Sequence, residues 1–137
     1  MLGDIIFEAE GKLTGTRVLE VQNGIPKVEV TISQEGVLRG IEVAGMVTYW
    51  SMSRDSGAIY AEGQGFIMKK DNPNDTATWT GQGIAHYSEQ TRRDVGSVFF
   101  MTQSAKGNLG FLNNMVGVFE YESKPDGTSK GKIWEWR

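Results

Sequence analysis

The chain has 137 residues, 39% of them hydrophobic and 23% charged, and a formal net charge of −3. That length fits a single domain, residues 1–137, which can bury roughly 68% of its unfolded surface without covalent staples. With no cysteine and one histidine, His86, a disulfide framework, a thiolate metal site and a His-rich metal site are excluded, and the acidic balance gives nucleic acid no electrostatic footing.

Met1-Leu2-Gly3-Asp4 lacks a basic stretch ahead of an apolar run, so the expectation is no secretory signal and a cytoplasmic protein. No apolar run approaches the roughly 20 residues of a membrane helix, so no membrane partner is expected. No cofactor motif is present, and none is expected to be bound.

The first run, Ile5 to Val21, alternates: Phe7, Ala9, Gly11 and Leu13 point one way, Glu8, Glu10, Lys12 and Thr14 the other. That period of two is the mark of a half-buried strand, with Gly15 as its bend. Asn23-Gly24 is a hairpin turn signal. The second run, Lys27 to Ser33, turns Val28, Val30 and Ile32 inward and is expected to end at a turn around Glu35-Gly36. The third run spans Ile41 to Met52. Arg54-Asp55-Ser56-Gly57 is the next turn, with glycine supplying the positive φ. The fourth run, Ala58 to Lys70, and the fifth, Thr76 to Ser88, flank a turn at Asp71–Asp75. Glu89 to Asp94 reads as a polar loop, with Arg92 and Arg93 in it. The sixth run is Gly96 to Gln103. A compact turn with Leu109, Phe111 and Leu112 then leads to a closing hairpin, Met115 to Glu122 and Ser129 to Trp136, around Pro125-Asp126-Gly127.

No window holds a helical apolar period. Eight alternating runs joined by short turns predict an all-β fold, an eight-stranded antiparallel meander closed into a barrel with little or no helix. Closure would remove the edges that a flat meander exposes.

The 18 glycines outnumber the three prolines and sit inside the strand runs, where glycine marks bends or close approaches. Glu62-Gly63-Gln64-Gly65-Phe66 on the fourth run echoes Thr80-Gly81-Gln82-Gly83-Ile84 on the fifth. A symmetric closure of the Asp71–Asp75 loop would pair Gln64 with Gln82, Gly63 with Gly83 and Gly65 with Gly81. The glycine face is the more apolar and is assigned inward, leaving a hollow flanked by Trp79 and Tyr87. Tyr60, Glu62, Gln64, Gln82 and His86 share the opposite face, and a bulge would exchange the two.

Gly107-Asn108-Leu109-Gly110-Phe111-Leu112, then Gly117-Val118-Phe119, then Gly131 to Trp136 form a terminal pattern that resembles the allene oxide cyclase-like barrels, and more closely the small uncharacterised bacterial proteins that share that barrel. The resemblance implies an eight-stranded barrel with a central cavity and a tendency to self-associate. It carries over no activity, because no cyclase site residue maps onto this chain.

Chemistry is sparse. His86 and Glu62, about two residues apart across the expected register, would suit an acid–base pair, and equally a polar sheet face. Glu120 with Glu122, and Glu8 with Glu10, are paired carboxylates of the solvated-strand kind. Gly127 to Lys132 has the wrong spacing for a phosphate loop and opens a strand rather than a helix. The candidate ligand-binding set is therefore Trp79, Tyr87, Glu62, Gln64, Gln82 and His86. The leading expectation is an apolar small-molecule-binding barrel without chemistry of its own. The alternative is a cyclase or isomerase that folds a hydrophobic substrate in the cavity, and a purely structural role is a third. A homo-oligomer is expected from Trp134 and Trp136, which share one face of the last strand.

Overall fold

The computed structural model describes residues 1–102 and 107–137. Eight strands follow one another: β1 (Leu2–Gln22), β2 (Ile25–Leu38), β3 (Ile41–Ser53), β4 (Ile59–Lys69), β5 (Asn72–Ser88), β6 (Thr91–Met101), β7 (Val116–Ser123) and β8 (Thr128–Trp136). Each pairs antiparallel with the next, and β1 pairs with β8, so the sheet closes into a barrel. The one helical element among the described residues is a 3-10 turn, Gly110–Leu112.

The turns carry backbone geometry that their residues favour. Asn23 and Gly24 have φ of 53° and 78°, the positive pair that matches strand twist in a two-residue hairpin. The second hairpin differs from the sequence reading. Glu35-Gly36 continues β2, and the turn falls at Arg39-Gly40, with φ of 45° and 82°. Gly36 lies inside the strand opposite Ala9, where the Phe7 ring would meet any Cβ at 2.8 Å. The sixth strand also starts earlier than expected. Glu89, at φ 57°, makes the turn, and Arg92 and Asp94 belong to β6 rather than to a loop. Gln103, the expected end of that run, lies outside the described residues.

One end of the barrel is sealed by apolar side chains. Ile6, Leu38, Val43, Ile67, Phe100, Leu109 and Leu112 are at most 1% exposed. Leu109 and Leu112 come from the turn after β6, which an aspartate anchors: Asp75, 5% exposed, accepts the Asn108 N–H at 2.7 Å and the Leu109 N–H at 3.4 Å. Asp75→Ala leaves both donors unpaired. It should cost about 2 kcal/mol, read as a lowered denaturation midpoint with an unchanged slope.

At the opposite end the β1–β2 hairpin outruns its neighbours. The β1–β8 pairing stops at Lys12, whereas β1 and β2 stay paired to Gln22 and Ile25. Register shifts between Leu13 and Gly15 and between Val18 and Glu20 bend this arm, as expected of Gly15.

Candidate functional site

The β4–β5 hairpin sets the lumen's shape, and its register is two residues off the symmetric expectation. Glu62, not Gln64, lies opposite Gln82; Gly63 faces Gly81, and Gly65 faces Trp79. The cause is an asymmetric turn. The chain reverses at Lys70-Asp71, and a register shift after Met68 leaves Pro73 to Asp75 bulged out of the ladder. Pro73 has no N–H to pair, and the Asp75 carboxylate is committed to the turn at Asn108 and Leu109.

A shift of two preserves the faces, so the glycines do point inward. Ala61, Ile67, Ala77 and Ala85 on the same face are buried, while Glu62, Gln64, Gln82 and His86 are exposed. The glycine positions are in contact with neighbours. A Cβ on Gly65 would lie 2.7 Å from the Trp79 indole nitrogen, one on Gly63 2.9 Å from Tyr49 Cβ, and one on Gly81 2.9 Å from Val98 Cγ1. Trp79 therefore covers part of the hollow. What remains is a cavity of about 90 Å³, walled by Phe7, Val47, Trp79, Val98, Phe119 and Ile133 among others.

The same cavity has a polar wall that the sequence reading missed. Gln34, Tyr49, Asp94, Tyr121 and Ser129 all line it. Gln34 Nε2 donates to the Tyr121 hydroxyl at 3.2 Å, from β2 across β1 and β8 to β7. The reach is possible because Gly131 has no side chain: its ideal Cβ would collide with the Tyr121 ring. Burial pushes the Tyr121 phenol up to about 12 although the Gln34 bond pulls the other way, so it is a neutral group at ordinary pH. Ser129, 8% exposed, has no hydrogen-bond partner for Oγ.

Above this wall sits a buried ion pair. Arg92 Nε and Nη2 donate to the two Asp94 carboxylate oxygens at 2.9 and 3.0 Å, and its guanidinium lies 5.3 Å from the Tyr49 ring centroid. Burial alone would lower the Arg92 pKa, but the Asp94 hydrogen bond and charge outweigh it and leave a net rise. Burial is likewise the first cause of a raised Tyr49, with Arg92 opposing it.

The candidate set from the sequence thus divides. Trp79 lines the lumen. Tyr87 does not flank the hollow: it lies near the end of β5 and is 61% exposed. Glu62, Gln64 and Gln82 line an outer groove of about 580 Å³ with Thr48, Trp50 and Ser97, and Glu62 and Gln82 border the inner chamber as well. There the Tyr60 hydroxyl bridges Glu62 Oε1 at 2.6 Å and Gln82 Oε1 at 2.9 Å. His86 stands four positions along β5 from the partner of Glu62, about 13 Å away, so the two form no acid–base pair. Among the described residues no group of three or more His, Cys, Asp or Glu could hold a metal ion.

Fold and lumen together define a small closed antiparallel barrel with a part-polar interior. Solved structures share that fold. A protein of unknown function from Clostridium acetobutylicum ATCC 824 superposes with a TM-score of 0.79 at 12% identity, over 98% of each chain. A beta-barrel-like protein from Acinetobacter baumannii AYE gives 0.76 at 12% identity, over 100% of this chain and 96% of its own. An enzyme from Penicillium herquei gives 0.59 at 17% identity, over 98% of this chain and 96% of its own. No family model matches the chain, and no curated protein does. No described helix is long and apolar enough to cross a membrane.

Proposed function

We propose that the protein is a small-molecule-binding barrel of the allene oxide cyclase-like kind, acting in the cytoplasm and holding an apolar ligand in the lumen. The observation that supports this reading most is the chamber of about 90 Å³ beneath Trp79, apolar on most of its wall and polar on one side. Ligand pockets combine those features. The volume is below the ~150 Å³ of an engineered apolar cavity that accepts benzene, so the occupant is small or slender. Xenon, followed by methyl NMR, tests the reading. Shifts concentrated on Val47, Val98 and Ile133 are expected; a response confined to outer-face methyls, or none, would sink it.

A cyclase or isomerase is the second reading. Tyr121, a buried neutral phenol on a mostly apolar chamber, is suited to polarising a substrate oxygen without covalent chemistry. That the Penicillium herquei neighbour is an enzyme favours it as well.

Self-association is part of the proposal. Trp134 lies opposite Val118 and Ile5, and Trp136 lies opposite Leu2. Phe99 lies opposite Val116 on the adjoining strands. Leu2, Ile5, Phe99, Val116 and Trp136 are 40–54% exposed and lie on neighbouring strands, an apolar face suited to burial against a partner. Its rim carries both signs, with Asp4 against Arg137 and Glu135 against Arg39, which suits a second copy in a two-fold contact. Light scattering at micromolar concentration should give a multiple of the chain mass, and Trp136→Lys with Phe99→Lys should reduce it to one. A wild-type monomer across that range would refute the contact.

A further inference from the structure

The hydrogen-bond count of the lumen's polar wall narrows the ligand. Buried polar side chains nearly always have partners. Ser129 Oγ, in a residue 8% exposed, has none, and it lines the chamber. The Tyr121 oxygen already accepts from Gln34, so its own proton is left to donate. The two hydroxyls belong to one neighbourhood. Gly11 is paired with Ser129 on one side and Gln34 on the other, and a Cβ on Gly11 would come 2.8 Å from Ser129 Oγ. Two neutral donors therefore face a chamber whose apolar wall includes Phe7, Val98, Trp79 and Ile133.

Charge excludes the other polar head groups. The ionic pair beside the chamber is closed on itself: both Asp94 oxygens are taken by Arg92, and the guanidinium packs over Tyr49. A carboxylate or phosphate on the ligand would find no free cation there, and for an amine the one carboxylate on the lining besides Asp94 is Glu62, whose side chain is exposed on the outer face and accepts from Tyr60. Burying an uncompensated charge is far costlier than burying a neutral oxygen that two donors meet.

We propose that the lumen takes a small neutral molecule with an acceptor oxygen on an aliphatic frame, a ketone, aldehyde or ester carbonyl, and that the Tyr121 and Ser129 hydroxyls donate to that oxygen. This rests on the lumen-binding reading and names its ligand class.

The test uses four probes of four heavy atoms each and different heads, sized to the chamber: acetone, 2-chloropropane, acetate and isopropylamine, each titrated by NMR. The ketone should bind at least about tenfold more tightly than the other three, the gain of two neutral hydrogen bonds. Tyr121→Phe and Ser129→Ala should each weaken the ketone about fivefold and leave 2-chloropropane unchanged. Ser129→Ala also removes a buried unsatisfied hydroxyl, so its Tm should rise by about 2–6 °C while ketone affinity falls. A merely structural serine would not show that opposition. Tyr121→Phe strands the Gln34 amide, so the ratio of ketone to chloroalkane affinity within each variant is the readout, which a general loss of stability does not move. Equal binding of ketone and chloroalkane, or tightest binding of acetate or isopropylamine, overturns the ligand class while the lumen reading stands. Binding of none of the four, with no xenon response, overturns both.

Discussion

Arg92→Met is expected to destabilise the barrel by about 3–5 kcal/mol, because it leaves Asp94 as a lone charge inside the wall. The side chains of Arg92 and Asp94 are only 10% and 16% exposed, and the pair is bidentate. Methionine keeps much of the arginine stem's length, so lost packing accounts for little of the effect. The control is Arg92→Met with Asp94→Leu. Removing both charges should recover most of the deficit, since a well-packed apolar pair is often as stable as a buried ionic one. Urea denaturation of the wild type and both variants measures this. A single variant within about 1 kcal/mol of wild type would show that water reaches the pair freely, and that the lumen is wetter than its lining implies.

The architecture was legible because strand period and turn chemistry agreed. Asn23-Gly24, Gly57 and Gly127 all sit at the positive φ their turns need. Phe7, Ala9 and Gly11 are buried where alternation placed them. The register of β4 and β5 was not legible, because it depends on a contact between Asp75 and a turn some thirty residues on, which local pattern cannot reveal. The polar wall escaped for a different reason. Reading charge as exposure assigned Arg92 and Asp94 to a loop. Had the turn been placed at Glu89, the same alternation would have aligned Arg92, Asp94, Gly96, Val98 and Phe100 on one face. At the last hairpin the i, i+2 spacing singles out the carboxylates of Glu120 and Glu122, while Tyr121 between them points inward to Gln34, a partner 87 residues away. Periodicity indicates which residues turn inward. It does not indicate which inward residues will meet.

Gly81→Val should cost about 3 kcal/mol, the upper part of the usual range for overpacking a core. A Cβ at Gly81 would stand 2.7 Å from the Ser97 carbonyl oxygen and 2.9 Å from Val98 Cγ1. Val98 can shift its methyl, but the carbonyl belongs to the ladder between β5 and β6, where Gly81 lies opposite Val98. The strain therefore falls on backbone, and Gly81→Ala, which already introduces the offending atom, should bear a large part of it. The two substitutions separate causes. If close approach at Cβ dominates, alanine costs nearly as much as valine; if filled volume dominates, valine costs much more. In either case the melting temperature of Gly81→Val should fall by about 10 °C, and small-solute binding should weaken in parallel, because Gly81 also lines the chamber. Gly15→Val is the matched control, since nothing lies within 4 Å of a Cβ there. An unchanged melting temperature for Gly81→Val would mean that Gly81 faces open space rather than Val98 and the lumen, and the β4–β5 register, with the chamber built on it, would have to be abandoned.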